Sequence, residues 1–270
     1  MKKILYLTDL AYTAKGRDYS KEDIYIADRL KDRYDIVLAH PKCAEAFEDY
    51  ADAVVFRNTG SVIGYKDIYC SFLRRVEEKR LITFNSFDGK ADMRGKQYLL
   101  ELTAEAYPVI PTVDSMDDIN ALPESETYVL KPKDGADSIG LEFAAAEELV
   151  KRELVPGITL IQPAIDFQYE VSFYFINDKL EYAMYAPDKT KRWELAEYDY
   201  TDEDAAFARK FIEWNTVTHG IQRVDACRTK DGRLLLVELE DLNPYLSILE
   251  VRESVRNQFL NDMAEAIDKI

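Results

Sequence analysis

The sequence predicts an α/β protein, an open parallel sheet followed by a β-rich α+β region. Three observations carry this. Strand and helix signals alternate through residues 1–92, the pattern of a small parallel sheet with crossover helices. Short apolar segments broken by Pro and Gly then replace them. Two hairpin signals and two amphipathic helical stretches complete the chain.

KILYLTD reads as the first strand, and KEDIYIADRLKDRY as a helix with Ile24, Ala27 and Leu30 on one side. DIVLAH (strand), a short Ala-rich helix, AVVFRN (strand), KDIYCSFLRRVEEK (helix) and LITFNS (strand) follow. TDLAYTAKGRD after the first strand is no GxGxxG, so a dinucleotide reading is weak. A helix is expected from Met93 to Ala106 with Leu99, Leu102 and Ala106 as its apolar stripe, ended by Pro108. VIPTV, TYVLKP, GLEFA and ITLIQP supply short β segments, and YEVSFYFI and KLEYAMYA flank an Asn177-Asp178 turn. Thr201 and Asp204 form a capping box before Phe207, Phe211 and Trp214. From Glu253 onward Val255, Phe259 and Met263 repeat that spacing.

Composition removes several functional classes. The chain has 270 residues, 47% hydrophobic and 32% charged, and its formal charge of −16 argues against broad nucleic-acid binding. No apolar run approaches the roughly 18 residues of a membrane helix, so no membrane partner is expected. The N-terminus reads as a buried strand rather than a signal peptide, and a cytoplasmic location is expected. Cys43, Cys70 and Cys227 suggest neither a disulfide framework nor a zinc site. His40 and His219, the only histidines, exclude a histidine-rich metal site and disfavour a Ser-His-Asp triad.

The segment QRVDACRTKDGRLLLVELEDLNP carries the strongest chemical signal. Asp231-Gly232 is a two-residue turn signal. With a loop of that length, Asp225 falls opposite Glu238 and Arg223 opposite Glu240, all on one face. Facing carboxylates repel unless a cation lies between them. Magnesium, which takes hard oxygens and substrate phosphates, is the natural one. Arg223 would then neutralise a γ-phosphate or an acyl phosphate. A three-residue loop would break this register. Solvated acids on an exposed hairpin are the bland alternative, and the apolar LLLVEL strand argues against it.

Separated lysines add the elements of a polyphosphate site. Lys96 opens a helical segment. Lys131 ends the strand YVLKP, where an ammonium can point at phosphates, and Lys133 is a substitute for it. The turn KDGADSIG after it, with Gly135 and Ser138, can cover phosphates with backbone N–H groups. Lys189, Lys191 and Arg192 beside Trp193 form a positive cluster, either a γ-phosphate or carboxylate site or a solvated loop. Arg57 is a weaker substrate-side candidate.

The order of these parts resembles the ATP-grasp superfamily, which includes D-alanine–D-alanine ligase, glutathione synthetase and biotin carboxylase. The resemblance implies an ATP-grasp fold, with residues 1–92 as a pre-ATP-grasp α/β domain and 93–270 as the ATP-grasp domain (93–162 small lobe, 163–270 C-terminal lobe). In that frame Asp225 matches the acid of the first metal-binding strand. Glu238 and Glu240 fill a Glu-x-Asn pattern in which Glu240 replaces the asparagine. A second frame places Asp241 and Asn243 there, and Asn243 stays a second-line metal ligand. LIQPAI resembles the adenine linker, with Gln162, Pro163, Ala164 and Ile165 around the base, and Glu170 matches the acid that takes ribose hydroxyls. Asp134 and Asp137 depart from the usual glycine-rich turn.

The implied activity is a ligase using ATP and one or two magnesium ions, with manganese an alternative. It would activate a carboxylate, an amino acid or peptide, as an acyl phosphate and join it to an amine. Lys96 and Lys131 would hold phosphates, and Arg223, Lys191 and Arg192 the reacting groups. A small-molecule kinase on the same scaffold and a non-catalytic nucleotide-binding protein are the alternatives.

Overall fold

A computed structural model describes residues 1–14, 17–57, 66–134, 140–191 and 194–270, with the side chains of 14 and 17 left aside. The parallel sheet forms as the alternation predicts. Strand β1 (Lys2–Leu7) is followed by a two-stranded ribbon, β2 (Thr13–Ala14) and β3 (Arg17–Asp18), and by helix α1 (Ser20–Leu30). Then come β4 (Tyr34–Ala39), the one-turn α2 (Ala44–Phe47), β5 (Ala53–Phe56), α3 (Lys66–Lys79) and β6 (Thr83–Phe84). The strand order is β4-β1-β5-β6, every pair parallel. Ala53 to Phe56 are all buried, as a strand covered on both faces requires.

The buried face of α1 differs from the expected one. Ile24 is 47% exposed, whereas Asp23, Ile26, Ala27 and Leu30 are buried. At about 100° per residue, positions 24 and 30 diverge by a third of a turn, while 23, 26, 27 and 30 share one stripe. The stripe opens with a carboxylate, and Glu22 beside it is equally buried.

The helix expected from Met93 is shorter. Asp92–Arg94 forms a 3-10 turn, Gly95 breaks it at φ +81°, and α4 spans Tyr98–Ala104. Ala106 is exposed at φ +57° and ends the helix, so it does not belong to the apolar stripe. VIPTV makes only isolated bridges, Val109 to Leu236 and Val113 to Ile161. Beyond it lie β7 (Thr127–Pro132), β8 (Glu142–Ala145), the short α5 (Ala146–Leu149) and β9 (Thr159–Pro163), an antiparallel sheet in the order β8-β7-β9.

The large antiparallel sheet contains β10 (Phe167–Ile176), β11 (Lys179–Tyr185) and β12 (Ala196–Glu197), and, after helix α6 (Asp202–Asn215), β13 (Ile221–Thr229) and β14 (Leu234–Glu240). Its order is β12-β11-β10-β13-β14. Asn177 turns the β10–β11 hairpin at φ +55°, a conformation asparagine tolerates. The Thr201–Asp204 capping box is present, and Phe207, Phe211 and Trp214 are buried beneath it.

One core cluster lies between the opposite face of this sheet and α4 and α6, with Leu99, Phe173, Phe211 and Leu236. The other joins β1 and β5 to the site-bearing face and to α7 (Glu253–Asp268) through Ile4, Val55, Tyr174, Tyr182, Phe259 and Met263. Phe259 and Met263 are fully buried, each contributing roughly 1.5–3 kcal/mol relative to exposure. This core therefore runs across the expected boundary at residue 92. Among the described residues no helix is long and apolar enough to cross a membrane.

Candidate nucleotide and metal site

The β13–β14 hairpin departs from the expected turn and still delivers the expected pairs. The Thr229 N–H donates to the Arg233 carbonyl (2.9 Å) and Gly232 N–H to the Thr229 carbonyl (3.0 Å), so the loop is Lys230–Gly232, three residues long. Gly232 sits at φ +88°, the left-handed position such loops require. Next to the turn Arg228 faces Leu234 and Ala226 faces Leu236, one residue off the two-residue register. A bulge between Asp225 and Ala226 then absorbs Val237 and restores Asp225 opposite Glu238 and Arg223 opposite Glu240. Without it every acid of β14 would point to the other face. At the bulge the Leu236 N–H donates to the Pro108 carbonyl (2.8 Å), and the Ile110 N–H donates to the Leu236 carbonyl (3.1 Å). The outer edge of β14 is thus occupied where its register changes.

Asp225, Glu238 and Glu240 present carboxylate oxygens that all lie within 4.8 Å of one another. Arg223 joins them: its Nε and Nη2 donate to the two Asp225 oxygens at 2.8 and 2.7 Å, and Nη2 also to Glu240 Oε1 at 2.5 Å. Ser172 on β10 donates to Asp225 Oδ1 (2.6 Å). Lys96 forms an ion pair with Glu238. The backbone of Lys96 is seated on the end of β7, its N–H donating to the Lys133 carbonyl at 3.0 Å. This brings Lys96 and Lys131 to the same acids.

The electrostatics are those of a site short of cations. Burial, opposed by Arg223 and reinforced by Asp225 and Glu238, pushes the Glu240 carboxyl up to about 8. Burial works the same way on Glu238, but Lys96, Lys131 and Arg223 outweigh it and hold that carboxyl below its ordinary range. Burial and the neighbouring Lys96 push the Lys131 ammonium down to about 8 against the pull of Glu238. Asp92 is raised well above the carboxylate range by burial, then by Asp241, Glu240 and Glu238. Its Oδ1 is buried with no hydrogen-bond partner among the described residues. Three clustered hard-oxygen donors and an orphaned carboxylate oxygen beside them fit a magnesium ion.

The remaining expected residues are placed as follows. Gly135, Ser138, Arg192 and Trp193 lie outside the described residues. Gln162 is buried and its amide donates to Thr112 Oγ1 (2.7 Å), so its side chain is committed to the core. Pro163 pairs with Tyr128 at the end of β9, the Ala164 N–H donates to the Thr127 carbonyl (2.9 Å), and Ile165 is partly buried on the way to β10. Glu170 is partly buried opposite Cys227, two residues from Ser172 on the site-bearing face of β10. Lys191 is exposed and pairs with Glu194 at 3.1 Å, and Lys189 lies 3.3 Å from Asp166.

Asn243 is partly buried just beyond β14. Asp241, from the second frame, is fully buried and accepts from Ala91 N–H (3.0 Å), Met93 N–H (2.8 Å) and Asn215 Nδ2 (3.0 Å). Its oxygens are engaged by two backbone amides and Asn215, so it holds the chain around Ala91 and Met93 rather than joining the acid trio. Arg57 is fully buried in an ion-pair cluster with Glu22 and Asp23. Two site-bearing residues were not anticipated. Asp92 lies four residues before Lys96, but Gly95 breaks the turn between them, so no helical spacing marked it. Ser172 could have been found by pairing β10 with β13.

No family model matches the chain. It is 27% identical to the cycloserine biosynthesis protein DcsG of Streptomyces lavendulae, over 80% of this chain and 83% of that protein. Among solved structures, D-cycloserine synthetase DcsG superposes with TM-score 0.71 at 20% identity, covering 97% of this chain and 99% of that one. The ATP-grasp ligase PsnB with its minimal precursor gives 0.65 at 13% identity over 98% and 100%. D-alanine–D-alanine ligase from Bacillus anthracis complexed with ATP gives 0.62 at 14% over 99% and 97%. An open parallel sheet, a small antiparallel sheet and a large one whose last two strands carry the acids, matched over nearly whole chains, are one arrangement: the chain has the ATP-grasp fold.

Proposed function

We propose that the protein is an ATP-dependent ligase that joins a carboxylate to an amine with release of ADP and phosphate. The observation that carries this is the trio Asp225, Glu238 and Glu240, gathered within 4.8 Å and flanked by Arg223, Lys96 and Lys131. The fold shared with ligases supports it, one of them complexed with ATP.

In this reading a carboxylate oxygen of the acid attacks the γ-phosphorus of ATP, the bond to the β-phosphate oxygen breaks, and ADP leaves. The amine nitrogen then attacks the acyl carbon, the carbon–oxygen bond to phosphate breaks, and the nitrogen loses a proton. The protein supplies alignment and charge compensation rather than a nucleophile. Lys96 and Lys131 hold the α- and β-phosphates, with the backbone N–H groups of Gly135 and Ser138, outside the described residues, as further phosphate donors. Backbone groups from Gln162 to Ile165 hold adenine, and Glu170 the ribose. Asp225, Glu238 and Glu240, with Asn243 behind them, would hold one or two magnesium ions, or manganese, which supply charge neutralisation at the phosphates. Arg223 lies against the transferring phosphoryl group and the tetrahedral intermediate. Lys191 and Arg192 attract the acid. An amino acid or peptide is the substrate class that this type of ligase suggests.

Purified protein is incubated with ATP, magnesium and a panel of amino acids and short peptides. ADP and phosphate formed only when acid and amine are both present is the expected result. AMP and pyrophosphate would overturn the reading, and a stable phosphorylated product in place of an amide would assign a kinase.

A further inference from the structure

Arg57, directly after β5, has a side chain 1% exposed, and it faces Glu22 and Asp23, both 0%. Three ionised groups so deep in the protein are costly, and nothing about the parallel sheet itself calls for them. Their contacts show where they reach. Arg57 Nη2 donates to Glu22 Oε1 (3.1 Å), Nε to Asp23 Oδ1 (3.2 Å), and Nη1 to the Pro244 carbonyl (2.8 Å). Asp23 is completed locally, by Tyr6 Oη at 2.9 Å and Thr8 Oγ1 at 2.7 Å. Glu22 is completed at a distance: its Oε1 accepts from Leu246 N–H (2.8 Å) and its Oε2 from Ile248 N–H (3.0 Å). The cluster thus holds the segment that follows β14 by a carbonyl and two amides.

The same segment is held from its other side by the arginine of the acid trio. Arg223 Nη1 donates to the Tyr245 carbonyl (2.7 Å), the next carbonyl after the one Arg57 holds. Its Nε and Nη2 donate to Asp225 and Glu240. Two arginines therefore hold consecutive carbonyls, one from the parallel sheet and one from the large sheet. A displacement of Pro244 carries the Tyr245 carbonyl with it and rotates Arg223 against the carboxylates.

We propose that Arg57 and Glu22 are positioning residues for the acid trio, acting through residues 244–248 to seat Arg223 between Asp225 and Glu240. This rests on the reading of the trio as a magnesium–nucleotide site. The parallel sheet, in addition to any part in binding substrate, then sets how tightly the metal–nucleotide complex is held. Groups hydrogen-bonded directly to metal ligands, as Arg223 is to Asp225 and Glu240, set metal affinity and activity by about 10–100-fold, and it is this contact that Arg57 and Glu22 would hold in place.

The test uses full-length Arg57→Lys, which keeps the charge and loses the planar fork. Arg75→Lys is the control, because Arg75 forms a comparable pair with buried Glu48 (2.7 Å) and does not touch residues 244–248. Calorimetry measures ADP binding with magnesium, and hydrogen exchange without metal or nucleotide follows the Leu246 and Ile248 amides. Arg57→Lys is expected to weaken magnesium–ADP binding by about 10–100-fold and to speed exchange at both amides, and Arg75→Lys to do neither. Should Arg57→Lys fail to fold, Glu22→Gln is read in its place, with the same weakening expected. Variants that fold and bind magnesium–ADP within twofold of the wild type overturn the coupling alone. A wild-type protein that binds no magnesium–ADP removes the site, and the coupling with it.

Discussion

Two clusters of charge lie on either side of residues 244–248, and they are finished differently. In the Glu22–Asp23–Arg57 cluster every carboxylate oxygen has a donor and the side chains are 0–1% exposed. In the Asp225–Glu238–Glu240 cluster the side chains are 18–31% exposed. Asp92 beside them keeps an oxygen with no partner among the described residues. The first cluster is complete without any ligand, and the second is not. Buried acids that the protein leaves unsatisfied mark a binding site more reliably than acids alone.

The largest effects should come from removing one charged side chain from each cluster, with opposite readouts. Asp225→Ala is expected to lower ATP turnover by at least about 10²–10³-fold with an unchanged circular-dichroism spectrum, since it removes a ligand and relieves repulsion. Retained turnover would take Asp225 out of the metal site. Arg57→Met leaves two buried carboxylates unpaired and should destabilise by about 3–5 kcal/mol. For a chain of this size that is a fall in Tm of about 6–20 °C. A melting point within about 2 °C of wild type would show that the closed cluster is not structural in the sense argued.

The pH dependence sharpens the contrast. Glu240 binds its proton more tightly in the folded chain, with a pKa raised from 4.5 to about 8, so unfolding releases a proton between those values. Its contribution to stability is present at low pH and is lost as pH rises through about 8. Magnesium competes with that proton, so its affinity should rise by up to about tenfold per pH unit to about pH 8 and then level. The groups acting on Glu240 are Arg223, Asp225, Glu238 and Lys96. Glu240→Gln should flatten the magnesium profile. It should reduce, without abolishing, the loss of Tm with pH, because Glu22 and Glu181 are also raised, to about 7 and about 8. An unaltered magnesium profile in that variant would exclude Glu240 as the titrating ligand.

Much of this arrangement was legible because local physics decides it. Apolar runs gave the parallel strands, the Thr201–Asp204 box started α6, and acid spacing marked β13 and β14. The misreadings have non-local causes. Asp231-Gly232 signals a turn, but the loop is three residues and the acids face each other only because a bulge offsets it. That bulge lies where Leu236 meets Pro108 and Ile110, far from the hairpin in sequence. Asp241, a ligand only in the second frame, accepts from Ala91 and Met93 across more than a hundred residues. Nothing local marks Glu22 and Asp23 as buried; Arg57, which β5 brings to them, is what pairs them in the core.

The smallest effect is expected at Lys191, which belongs to neither cluster. It is 56% exposed, and its partner Glu194 is 71% exposed. Such a pair contributes little, so Lys191→Ala should change stability by no more than about 0.5 kcal/mol. Its charge still acts at range, on an anionic acid approaching a protein of formal charge −16. Capture rather than chemistry should therefore suffer: kcat/KM for the acid falls by a few-fold at low salt, the difference fades as ionic strength rises, and kcat holds. A hundredfold loss in kcat that salt does not erase would instead place Lys191 beside Arg223 at the transferring phosphoryl group. Lys191, held at the surface by Glu194, would then have to reach the acids during turnover, joining an exposed pair to the cluster that the chain leaves unfinished.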